Sequence, residues 1–147
     1  MKIPVALSMA AIALLMLSAC AGLMPDGQHG SQDIFERSGN SDRAPSAFHD
    51  DVPRDSCGEL TLTQGEQIAA EALDCMDAAV GERNVELAVS SPTTEGDPII
   101  VFYRTSTDTD GVEIFVNSEY DKFGSRDWSY AVCPKTMTRV ALEGCQD

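Results

Sequence analysis

"VELAVSSPTTEGDPIIVFYRTSTDTDGVEIFVNS", residues 85–118, holds three runs rich in β-branched and aromatic side chains, separated by two clusters of turn residues. In the first run Val85, Leu87 and Val89 alternate with Glu86 and Ala88. That period of two sets one face of a strand against a core, and the run ends before Pro92. "TTEGDP", residues 93–98, supplies the residues from which turns are made. Ile99 to Thr105 is apolar on both faces, which places it inside a sheet. Asp110-Gly111 then predicts a two-residue hairpin turn, because both central positions of such a turn need positive φ. Val112 to Ser118 is the returning strand. With that turn, Val101, Tyr103 and Thr105 share one face with Ile114 and Val116. Ile100 and Phe102 share the other with Phe115.

Working outward, "YDKFGS" (120–125) turns the chain, and Trp128–Cys133 and Met137–Leu142 read as two further strands on either side of Pro134. Upstream, Leu60-Thr61-Leu62 is a short first strand. Thr63-Gln64-Gly65-Glu66 fits a capping box, in which hydroxyl and carboxylate each satisfy the other residue's amide. The helix it opens runs to about Val80, with Ile68, Ala72, Cys75, Met76, Ala79 and Val80 along one stripe. Gly81 is its stop. The fold expected is therefore α+β, one N-terminal helix packed on a four- to five-stranded antiparallel meander.

The chain has five cysteines, an odd number. Cys20 stands apart from the rest at the end of Ile3–Ala19, an uncharged stretch. That stretch is short for a membrane span, which needs about 20 residues. Following Met1-Lys2, it suits the apolar region of a secretory signal. Leu17-Ser18-Ala19-Cys20 resembles the bacterial lipobox. The resemblance implies removal of residues 1–19 and a diacylglyceryl group on the Cys20 sulfur, whose thiolate is the local nucleophile. Two acyl chains anchor stably where one does not. The expected location is thus the extracytoplasmic face of the cell membrane, lipid-anchored. Cys57, Cys75, Cys133 and Cys145 then form an even set, which in an exported protein reads as two disulfides. Three pairings exist. Cys57–Cys75 would fasten the start of the domain onto the helix, and Cys133–Cys145 would staple the last hairpin. No C-x-x-C pair is present, so the set does not read as zinc ligands.

The 24 acidic residues outnumber ten lysines and arginines, for a net charge of −14. Loss of Lys2 with the leader deepens it by one. Such a surface repels phosphate backbones, which argues against nucleic acid as a partner. It also repels anionic lipid, so membrane association depends on the acyl anchor. Residues 20–56 are rich in Gly, Ser, Asp and Pro, interrupted only by Ile34-Phe35 and Phe48. They read as the lipidated cysteine and a disordered tether, with His29 and His49 solvated. Residues 57–147 read as a small disulfide-stapled domain.

The order "GDPIIVFYRT", "DGVEIFVNSEYDKFGS", a cysteine and "LEGC" resembles a family of uncharacterised Gram-positive, actinobacterial lipoproteins over about the last 50 residues. The resemblance implies a cell-envelope lipoprotein and carries over no functional residue. The search for chemistry agrees. Residues 57–147 contain no histidine, which removes Ser-His-Asp and Cys-His machinery. No Gly-rich phosphate loop or H-E-x-x-H helix is present. Asp108, Asp110 and Glu113 crowd the predicted hairpin tip like half of a calcium loop, but without its ligand spacing. They read better as solvated acids on a turn. No catalytic residue, metal or cofactor is therefore expected. The aromatics Tyr103, Phe115, Tyr120, Phe123, Trp128 and Tyr130 either fill the core or line a groove on an uncovered sheet face. The expectation is a monomeric, non-catalytic module that binds an envelope protein or small ligand. The alternative is an envelope hydrolase or inhibitor working through that exposed face.

Overall fold

The computed structural model describes residues 29–133. Two short helices, α1 (His29–Gly39) and α2 (Ala70–Asp77), and a 3-10 turn at Ser46–His49 accompany five strands. The strands are β1 (Asp55–Thr61), β2 (Val85–Pro92), β3 (Pro98–Ser106), β4 (Thr109–Asn117) and β5 (Trp128–Cys133), hydrogen-bonded in sequence order in one sheet. The fold is α+β. The leader, Cys20, Met137–Leu142 and Cys145 lie outside the described residues.

β2 to β5 form the expected antiparallel meander. The faces also fall as expected: Val101 pairs with Val116, Tyr103 with Ile114 and Phe102 with Phe115. The turn does not. Ser106 pairs with Thr109, so the two-residue loop is Thr107–Asp108. The extra residues Asp110 and Gly111 are absorbed as an irregularity within β4. An even displacement along the strands leaves every side chain on its face, which is why the face assignment survives a misplaced turn.

β1 departs from the meander by pairing parallel to β2. A parallel neighbour needs a crossover of a dozen or more residues, and residues 62–84, with α2 inside them, provide it. The register slips between Ser56 and Gly58, leaving Cys57 as the extra residue of a bulge. Gly58 makes the bulge possible at φ +130°, a backbone conformation that a side chain would strain. Cys57 is joined there to Cys75 of α2, Cα atoms 5.7 Å apart. Cys133 is disulfide-bonded as well, to a cysteine outside the described residues, where the Cys145 end of the expected second bridge also falls.

α2 is shorter than the sequence predicts. Thr63–Glu66 is a turn instead of a helix start: the Glu66 amide donates to the Thr63 carbonyl at 3.0 Å, and Gly65 sits at φ +81°. Positive φ at the third position is what a type II turn requires. The Glu66 carboxylate does reach back to the Thr63 amide (2.7 Å), but the Thr63 hydroxyl donates to that same carboxylate (2.9 Å). Half of the capping box forms without a helix behind it. The buried face of α2 is as expected, with Ala72 and Met76, and Ala79 just past its end, packed on Val85, Leu87, Val89, Tyr103, Val112 and Ile114.

The largest correction concerns the tether. From His29 onward it is part of the fold. Phe35 of α1 and Phe48 of the 3-10 turn are 4% and 5% exposed, covering the sheet face made by Ala88, Ile100, Phe102 and Phe115. Two isolated aromatics suffice because each buries roughly 150–250 Å². Both faces of the sheet are therefore covered, and the uncovered face expected to serve a hydrolase or inhibitor is occupied by this chain.

Candidate functional site, an acidic cleft around a buried arginine

Phe48 sits at the centre of the second face. Its ring centroid is 4.9 Å from Phe102, 5.3 Å from Phe115 and 4.9 Å from Trp128. Against its remaining side lies the Arg104 guanidinium, 3.8 Å from the ring centroid. Arg104 is in phase with Ile100 and Phe102 on β3, which forces the cation into an aromatic core. It is 7% exposed. Two groups compensate for its burial: Nε donates to Glu86 at 2.7 Å and Nη1 to the Phe48 carbonyl at 2.6 Å. Its Nη2 donates to no described residue, yet it is not sealed from solvent.

The opening in front of Arg104 is a cleft of about 800 Å³. Phe35 and Phe102 line it, and Glu36, Asp50, Asp51, Glu59 and Glu86 ring it. Asp50 is held well below the usual carboxylate range, chiefly by hydrogen bonds from Arg54, whose two terminal nitrogens each reach one Asp50 oxygen at 2.6 Å. Partial burial opposes this shift without cancelling it. The cleft is thus negative at its rim, aromatic on its walls and cationic at one point of its floor. Chemically it suits a ligand that carries positive charge and also offers an oxygen acceptor to Arg104.

The residues that hold this cover in place are polar. Glu119 accepts from the Ser41 hydroxyl at 2.6 Å and from the Trp128 indole at 3.1 Å, and lies 3.4 Å from Arg43. Asn117 and Ser38, both fully buried, bond at 2.7 Å.

The two described side chains nearest to acid–base chemistry are each engaged elsewhere. His49 lines it, but its Nε2 faces the Ser41 carbonyl at 3.1 Å, not a nucleophile. Lys122, the described lysine that could serve as a base, is bound to Asp97 at 2.6 Å. That bond, with the Lys122 amide on the same carboxylate, holds Asp97 below the usual range.

Of the acidic trio considered as metal ligands, Asp108 and Glu113 do not converge. Asp108 is exposed on the Thr107–Asp108 turn, Asp110 follows in β4, and Glu113 lies opposite Arg104, accepting from the Tyr130 hydroxyl at 2.9 Å. Among the described residues no group of three or more His, Cys, Asp or Glu side chains is placed to hold a metal ion. The aromatics divide: Phe115 is core, Trp128 and Tyr130 pack against it, and Phe123 is 76% exposed.

The sequence reading did not single out Arg104, Phe48 or Glu119. A signal existed for the first: an arginine at the same parity as Ile100 and Phe102 points into whatever those residues bury. Comparison with family models, curated proteins and solved structures finds no match to this chain.

Proposed function

We propose that this chain is a lipid-anchored lipoprotein on the extracytoplasmic face of a bacterial membrane, and that its folded domain binds a ligand without transforming it. The observation that carries the reading is the Cys57–Cys75 bridge, a bond that persists in oxidising compartments and is rare in the cytosol. The lipobox-like sequence ending at Cys20 and the resemblance to envelope lipoproteins point the same way. The cleft at Arg104 is the binding surface, and its rim of acids selects cationic ligands such as a basic peptide segment of an envelope protein. Among the described residues no helix is long and apolar enough to cross a membrane.

Cys20→Ala tests the anchor. The variant is expected to lose incorporated palmitate and to leave the membrane fraction; continued membrane association would overturn the reading. Titration with a tetra-arginine peptide tests the cleft. Binding should weaken as salt rises and weaken further in Glu59→Gln, and a peptide that binds the variant equally well would remove the cleft from the proposal.

A further inference from the structure

The other face of the sheet holds a second cavity, about 600 Å³, beneath the strap that links β1 to α2. Because α2 starts at Ala70 and not at Thr63, residues 62–69 cross the sheet as a non-helical segment. The Thr63–Glu66 turn fixes that segment through its own hydrogen bonds, so the space exists before anything fills it. Leu62, Ile68, Ala70, Leu73 and Tyr103 line the space, with the exposed side chains of Glu66 and Gln67 beside them.

Tyr103 is the unusual member. It is 7% exposed, and a tyrosine buried so deeply ordinarily gives its hydroxyl a partner. Here the hydroxyl bonds to no described residue, and it is not among the polar atoms closed off from solvent. Tyr103 lines this cavity. Burial also raises the phenol above its ordinary pKa, so it remains a proton donor throughout the physiological range.

We propose that this cavity is a binding site for a neutral, mainly hydrocarbon molecule bearing one oxygen acceptor, the class of aliphatic alcohols and acyl esters, which receives a hydrogen bond from Tyr103. A carboxylate is disfavoured because among the described residues no lysine or arginine lines the space. An ammonium group is disfavoured because the carboxylate at the mouth, Glu66, is already committed to Thr63. The site is independent of the Arg104 cleft, which lies on the opposite face.

The test uses the purified chain with the uncharged fluorophore N-phenyl-1-naphthylamine, which lacks an oxygen acceptor. Its emission should rise on binding, and 1-decanol should displace it at least tenfold more effectively than decanoate or decylamine. Tyr103→Phe should weaken decanol about tenfold while leaving the fluorophore bound. Ala70→Phe fills the space from an exposed position and should abolish fluorophore binding with an unchanged circular dichroism spectrum. The proposal fails if the wild-type chain does not bind the fluorophore or Ala70→Phe binds it normally. It also fails if decanoate competes as well as decanol, or if Tyr103→Phe leaves decanol unaffected.

Discussion

The two faces of the sheet are covered by different means. On one, α2 lays an aliphatic stripe over Val85, Leu87, Val89 and Ile114, and a disulfide ties it to β1. On the other, a mostly irregular segment brings two phenylalanines, pinned at its edges by Glu119, Asn117 and Arg104. The first cover depends on periodic burial and a covalent link. The second depends on one central aromatic and a set of charged hydrogen bonds. The lesson is that a segment of low hydrophobicity still folds when its few apolar residues meet a preformed aromatic floor.

The sharpest way to break that contrast is Phe48→Ala. Removing a ring with three aromatic neighbours and a stacked guanidinium should cost about 3–5 kcal/mol in urea unfolding. Hydrogen exchange should quicken across residues 34–54 first. Severing Cys57–Cys75 attacks the opposite face. The double serine variant should lose about 3 kcal/mol, the chain-entropy value for a loop of this size, with α2 losing protection and residues 34–48 keeping theirs. Glu119→Gln keeps the shape and removes the charge. It should cost about 1 kcal/mol and loosen residues 38–43 without affecting α2.

The smallest effect belongs to Tyr130, whose phenol is pushed up to about 12 by burial and by the Glu113 carboxylate it bonds. Folding therefore favours its protonated form. Its contribution is complete below pH 10 and declines as pH rises from 10 through 12. Absorbance titration should show one tyrosine ionising near pH 12, absent in Tyr130→Phe.

What the sequence made legible follows the same division. β2 to β5 were readable because apolar patterning and turn residues are properties of neighbours along the chain, and Cys57–Cys75 because Cys75 lies on the apolar stripe of the expected helix with Cys57 ahead of it. Phe35 and Phe48 were not, since a lone aromatic in a polar stretch has no period to betray it. The length of α2 was misread because Thr63-Gln64-Gly65-Glu66 can close either a helix start or a type II turn, and Gly65 at positive φ decides for the turn. The parallel pairing of β1 left one trace, the long connection from Thr61 to Val85. The two cavities could not be read at all, because each is set by how far a connecting segment stands off the sheet.

The bulge at Cys57 has a mechanical consequence. A chain held at its N-terminal end and pulled would surrender α1 and the 3-10 turn first, since among the described residues no covalent link ties them to the sheet. Extension would then reach Cys57, where tension passes through sulfur to Cys75 of α2 and bypasses residues 58–74. The 28 residues from His29 to Ser56 have a contour length of roughly 95 Å when extended. A load on that end would thus act on the aromatic cover before the bridge, and would leave most of β1 inside a loop it cannot extend.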